Sequence, residues 1–305
     1  MKEDRVKDVC AVMTKPSQAR APRLVRLSSF TTLGVGGIAE LWVTHDLEQL
    51  REATSAPYRI LGGGSNLIVS DSGVNERVIR LGGEYSKCDL EPDPERSNDS
   101  HIVTGWVGAA KPIPGLVRQL QQRGLSGIEG LWGVPAQVGG AVRMNAGTRY
   151  GEMADAIFQL EVFVDGETKI FTPDQLGFQY RNSSIPEGKN GAGIVTRVRL
   201  KLERSTPEIV QERMNLADHA RKGQPHQRTF GCAWKNPTGF SAGQLVDQAG
   251  LKGAKVGGAM ISLEHGNFVV NQGNASAKEV LELLSNIESQ LGIDLEREVE
   301  IWGSI

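Results

Sequence analysis

Short apolar runs broken by glycine fill the first two-thirds of the chain, and longer helical stripes take over in the last third. GIAELWV, YRILGGGSNLIVS and ERVIRLGG are rich in β-branched residues and end in turn formers, which predicts strands. A helix opens between them at Asp46, where Gln49 follows three residues later and Leu47 and Leu50 share a face. HIVTGWVGAA predicts a strand. The segment after Pro112 predicts a helix, with Leu116, Val117 and Leu120 on one side and Gly124 just past its end. AIFQLEVFVDGETKIFT predicts a hairpin turning at Asp165-Gly166. Ile194, Thr196, Val198, Leu200 and Leu202 then alternate against a basic face, as a half-buried strand requires.

Three helices are predicted beyond Ser205. Thr206-Pro207-Glu208 opens the first, with proline in its first turn. Ser241 with Gln244 brackets the second, which Gly250 closes. Ser276 with Glu279 forms a capping box for the third, whose Val280, Leu283, Leu284, Ile287 and Leu291 make one stripe. NFVVN and LEREVEIWG read as strands between and after them. The 134–147 stretch, VPAQVGGAVRMNAG, reads as a glycine-lined loop. Residues 86–101 read as a Pro-, Ser- and acid-rich loop, and residues 1–23 as a disordered tail, with Met13 a candidate start. The division expected is 24–85, 86–205 and 206–305 after that tail.

Composition narrows the function. The 305 residues carry 34 Lys and Arg against 36 Asp and Glu, a net charge of −2, so nucleic acid is a poor candidate partner. Cys10, Cys88 and Cys232 are odd in number and far apart, which offers neither a disulfide framework nor a CxxC metal site. No apolar run approaches the ~18 residues of a membrane span. These features predict a soluble, reduced, cytoplasmic protein without a metal. Glycine is the outlier, at 37 residues. GVGGIA at 34–39 fits a loose dinucleotide pattern, but a strand-like ELWV follows where a helix is required. Gly62, Gly63 and Gly64, with Ser65 and Asn66, sit between two strands. There they either make a tight turn or offer a row of N–H groups to phosphate. Pro135, Gly139, Gly140 and Asn145 form a second glycine-lined segment about 75 residues on.

LGGGSNLIVSDSG, GLSGIEGLWGVPAQVGGAVRMNAG, QYRNSS, GCAWKNP, SAGQLVDQAGLKGAKVGGAMIS, HGNFVVN and LEREVEIWG occur in one order. Together they resemble the UDP-N-acetylenolpyruvoylglucosamine reductase family, over about residues 28–303. The short path from Tyr180-Arg181 to GIVTRVRL is similar to the shorter, second type. The resemblance implies an α+β fold: a two-part FAD-binding module of the vanillyl-alcohol-oxidase type and a C-terminal α/β substrate-binding domain. It implies non-covalent FAD held by Gly62–Asn66 and by Pro135, Gly139, Gly140 and Asn145. It also implies NADPH as reductant, and reduction of the enolpyruvyl ether of UDP-N-acetylglucosamine in peptidoglycan synthesis, by a monomer.

Arg181 matches the family arginine, Glu298 the glutamate of the C-terminal strand, and Lys235 and Asn236 the substrate contacts. Cys232 stands where a serine proton donor is frequent; a thiol can do this work, and is expected to be open to peroxide and alkylators. Ala136-Gln137 and Thr31 also depart from the frequent residues. Trp132 and Trp234 either stack on the flavin or pack. Two other readings stay open: a different oxidase or dehydrogenase on the same flavin fold, and a binder without catalysis.

Overall fold

The structure, a computed structural model, describes residues 21–90 and 101–304. Residues 1–20 of the expected tail, Met13 among them, and residues 91–100 of the expected 86–101 loop lie outside the described residues.

The first module comprises β1 (Arg23–Arg26), β2 (Ile38–Thr44), α1 (Leu47–Ala53), β3 (Tyr58–Ile60), β4 (Leu67–Val69) and β5 (Arg77–Leu81). Its sheet runs β1-β2-β5-β3, with β2, β5 and β3 parallel and β1 antiparallel at the edge. Asp46 caps α1 by accepting from the Gln49 N–H at 2.9 Å. A strand follows GVGGIA, which removes the dinucleotide fingerprint.

The second module begins with β6 (Cys88–Asp89), a short strand where a loop was expected. It pairs with β7 (Ile102–Gly108), where Gly108 packs so closely on the Tyr85 carbonyl that no side chain fits. There follow α2 (Ile113–Gln122), β8 (Leu125–Ser126), α3 (Val138–Arg143), β9 (Gly147–Thr148), β10 (Gly151–Glu152), β11 (Ile157–Val164), β12 (Glu167–Phe171) and β13 (Ile194–Arg204). The main sheet runs β12-β11-β13-β7-β6. Asp165 and Gly166 turn the β11–β12 hairpin with φ of 50° and 85°, the positive pair a tight primed turn requires. The helix α3 replaces the loop expected over 134–147. Val138, Ala141 and Val142 bury one face at helical spacing, which two adjacent glycines hid from a propensity reading.

The last part contains α4 (Pro207–Ala220), β14 (Thr229–Cys232), α5 (Ala242–Gln248), β15 (Lys255–Val256), β16 (Ala259–Ile261), β17 (Phe268–Asn271), α6 (Ala277–Leu291) and β18 (Glu300–Trp302). An antiparallel sheet, β14-β17-β16-β15, packs against α5 and α6. Two expected boundaries move. Val210 and Met214 of α4 join the core of the second module, and Arg213 bonds Glu129 there at 2.9 Å, so α4 belongs with that module and not with the sheet after it. The strand expected over LEREVEIWG is formed only by β18, which leaves the last sheet to pair in parallel with β4 of the first module. Trp302 is accordingly buried in the first module's core.

Candidate active site

A cavity of about 460 Å³ opens where the C-terminal ends of β3 and β5 face α3 and the start of β13. Its size is ordinary for a cofactor cleft. Gly62, Gly63, Gly64, Ser65, Asn66, Gly139 and Gly140 line it, with Ala136 and Gln137 between the two glycine segments. Gly64 is fixed by its left-handed φ of 62° and by contact with the Phe30 carbonyl, and its own carbonyl accepts from the Thr32 N–H at 2.9 Å. With the carbonyl held there, the N–H groups of Gly62, Gly63, Gly64 and Ser65 have no acceptor among the described residues. Such a row of consecutive donors suits a diphosphate. A Cβ at Gly140 would meet nothing within 4 Å, and one at Gly62 would meet only Gln137 Oε1 at 3.8 Å, so both glycines leave open space beside the cavity. The residues present therefore fit a dinucleotide cofactor.

Two of the expected cofactor residues stand elsewhere. Asn145 is fully buried: its Nδ2 donates to the Gln179 carbonyl at 3.1 Å and its Oδ1 accepts from the Ala154 N–H at 3.0 Å. One end of the amide braces the turn that carries Arg181, and the other holds the separate turn at Ala154. Pro135 is exposed and outside the cavity lining, although its carbonyl lies close behind Gly63. Thr31 is likewise spent locally, bonding the Val35 carbonyl at 2.9 Å. Trp234 is buried, with its indole N–H on Glu288, and Trp132 lies against Arg118, so both tryptophans pack.

Arg181, Cys232 and Glu298 come together from three distant segments. Arg181 sits in a tight turn closed by mutual Gln179 and Asn182 backbone bonds, with φ of 55°. Its guanidinium donates to the Gly147 carbonyl at 2.7 Å, reaches the Asn145 carbonyl at 3.5 Å, and places Nε 3.4 Å from Glu298 Oε1. Glu298 is held beside the cysteine strand because its N–H donates to the Ala233 carbonyl at 2.8 Å. Burial raises the Glu298 carboxyl above its ordinary value, against the opposing pull of Arg181 and Lys235. Burial also pushes the Cys232 thiol up to about 12, aided by Glu298 and opposed by Arg181 and Arg221. The thiol is thus held neutral beside two cations.

Lys235 extends from the same strand end and pairs with Glu296 at 2.6 Å. Asn236 has a structural duty: its Oδ1 accepts from the Ala242 N–H at 3.0 Å and caps α5, the position expected of Ser241. Sequence reasoning missed Arg221, the C-cap of α4, which lies against Gly133 and makes no ion pair among the described residues. Nothing in its local pattern separates it from a solvated helix end.

Residues 47–172 match the model of an FAD binding domain, and residues 224–302 that of the C-terminal domain of UDP-N-acetylenolpyruvoylglucosamine reductase. The second match begins after α4, consistent with the packing of that helix on the preceding module. The chain is 57% identical to the Deinococcus radiodurans enzyme of that name over 94% of its length, covering 97% of the relative. It is 56% identical to the Thermus thermophilus protein over 90%, again covering 97% of it. It is also similar to the crystal structure of the Thermus caldophilus enzyme, with 55% identity, a TM-score of 0.85, and coverage of 92% of this chain and 99% of that one.

Proposed function

The chain belongs to the UDP-N-acetylenolpyruvoylglucosamine reductase family, and from that membership we infer how its own residues share the reaction. It is an FAD-containing oxidoreductase that reduces the enolpyruvyl ether of UDP-N-acetylglucosamine in cell-wall synthesis. When bound, FAD would supply the hydride chemistry, with NADPH as reductant and the methylene carbon of the ether as acceptor. The free N–H groups of Gly62–Ser65 would hold the diphosphate, and Gly140, open on its Cβ side, would let it approach, while Gly139 packs on Ala109. A division into two FAD-binding parts and a substrate-binding part, the last starting near residue 224, goes with this reading.

The observation that carries the catalytic assignment is the meeting of Arg181, Glu298 and a neutral Cys232. As hydride arrives, negative charge builds on the substrate carboxylate as an enolate. Arg181 stabilises it through a planar fork already fixed on two carbonyls. Glu298, whose proton is held more tightly than usual, orients that carboxylate and shares a proton with it. Cys232 gives its S–H proton to the carbon next to the carboxylate, and Arg181 and Arg221 steady the thiolate left behind. Lys235, beside Glu298, and the free amide nitrogen of Asn236 are the assigned contacts to the nucleotide-sugar. NADPH, its reductant, is drawn from the cell interior, which supports a cytoplasmic enzyme. The proposed assignment asks for no residue from a second copy, so a monomer suffices for it.

Two measurements test this reading. Acid precipitation should release yellow FAD into the supernatant; a protein that is colourless and cannot be reconstituted refutes it. Arg181→Lys keeps the charge but loses the fork. NADPH should still reduce the flavin, while transfer to substrate slows about 10²-fold or more, the scale of one lost oxyanion contact. Equal slowing of both half-reactions would contradict the assignment.

A further inference from the structure

Asn66 ends the glycine loop immediately before β4 and lies where that loop meets the segment carrying Glu298. The parallel ladder between β4 and β18 begins only at the Leu67–Glu300 pair, so residue 298 stands outside it. Asn66 extends the connection by two further bonds. Its backbone carbonyl accepts from the Glu300 N–H at 3.1 Å, and its side-chain Nδ2 donates to the Glu298 carbonyl at 3.0 Å. On its other side Glu298 is tied to Ala233, the residue after Cys232. The Glu298 backbone is therefore gripped between the proton-donor strand and the flavin loop. Its side chain, only 11% exposed, has little room to correct a backbone error.

We propose that Asn66 is a positioning residue for Glu298, setting the carboxyl against Arg181, over and above its place in the cavity wall. The proposal rests on the catalytic reading of Glu298 given above. An error of about 1 Å in a reacting group can slow catalysis about 10²-fold. Removing one of two backbone tethers should stop short of that, at about 10-fold. The second tether, Glu298 N–H to Ala233, remains in place.

The test is a double-mutant cycle on the FAD-loaded enzyme with the two half-reactions followed separately. Asn66→Ala, measured at saturating FAD, should slow transfer to substrate about 10-fold more than it slows flavin reduction by NADPH. In a Glu298→Gln background the same substitution should add less than about 3-fold, because residues acting through one another are not additive. Asn66→Asp keeps the shape but turns the donor into an acceptor and sets a negative charge near Glu298. The acid limb of the second half-reaction should therefore move to higher pH. It also carries the test if the alanine variant folds poorly. Losses that multiply in the cycle, an unmoved acid limb, or FAD binding weakened 10-fold with both half-reactions slowed alike would overturn the proposal. If Glu298→Gln is slow and both Asn66 variants behave as wild type, only the proposal falls. If Glu298→Gln itself turns over normally, the catalytic reading falls and takes the proposal with it.

Discussion

A thiol held near 12 should be almost inert toward alkylators, against the expectation drawn from the sequence. At pH 7.5 a free cysteine with a pKa of about 8.5 is about 10% thiolate. At about 12 the thiolate fraction is about 0.003%, roughly 3,000-fold less. A more basic thiolate is the better nucleophile, which recovers about 30-fold over that span at a Brønsted slope near 0.45. Iodoacetamide should therefore modify Cys232 about 100-fold more slowly than a free cysteine. The assay is intact mass against time in a Cys10→Ser, Cys88→Ser background, repeated across pH. Restricted access alone would also slow the reaction, but only a raised pKa keeps the rate climbing tenfold per unit through pH 10. A rate that levels off near pH 9 would refute the reasoning. The same neutrality is what a proton donor needs. The donor must be protonated, and its contribution is lost only as pH rises through about 12, so transfer to substrate should show no alkaline limb from Cys232 below pH 10. Cys232→Ser should stay active and Cys232→Ala should lose about 10²–10⁴-fold in turnover, the range for a general acid. Wild-type turnover in the alanine variant would leave the thiol only a packing role.

Gly62→Ala should fold normally, since its Cβ has room, yet bind FAD about tenfold more weakly by filling the cradle; Gly64→Ala should lower the melting temperature itself, because the added carbon overlaps the Phe30 carbonyl at a left-handed φ. Unchanged FAD titration in the first or unchanged melting in the second would count against the cradle. The raised Glu298 pKa means the folded chain holds that proton longer than the unfolded one. Its stabilising contribution is complete below the ordinary carboxyl value and is lost as pH rises through the raised one. Relative to Glu298→Gln, the wild type should therefore lose melting temperature as pH rises above the ordinary carboxyl value of 4.5; a relative gain would reverse the sign of the shift.

Period-two and helical patterns were strong enough to read β11, β13, α2 and α6 directly, because each buries one face against a single neighbouring layer. The pattern failed where long-range packing decides. Two glycines concealed α3, whose helix is stabilised by burial against the second module and not by propensity. A strand over LEREVEIWG would set Glu296, Glu298 and Glu300 on one polar face, but the chain is a strand only from Glu300, and Glu298 is turned into the site by bonds to Ala233 and Asn66. Arg181 and Glu298 came from motif resemblance, since neither a loop arginine nor an alternating glutamate is distinctive by itself. Asn145 was legible as important but not in its role. An amide in a glycine-rich segment serves a ligand or a neighbouring loop equally well, and only the positions of Gln179 and Ala154 decide for the loop.

Strain separates the site from its scaffold in a way composition cannot. Among the described residues three non-glycine residues have positive φ: Asn145, Asp165 and Arg181. Asp165 is explained by its hairpin turn. The other two lie on facing loops and are bound to each other through the Arg181 guanidinium on the Asn145 carbonyl. A left-handed non-glycine residue costs about 1–3 kcal/mol and persists only where its surroundings over-determine it. Here they do. Asn145 fixes the Gln179 carbonyl, Gln179 and Asn182 close the turn, and the turn aims Arg181 between the Gly147 carbonyl and Glu298. An arginine on an unstrained loop would keep its rotamer freedom and spend part of substrate binding on losing it. In this fold that ordering is done by the chain before substrate arrives, as electrostatic preorganisation requires.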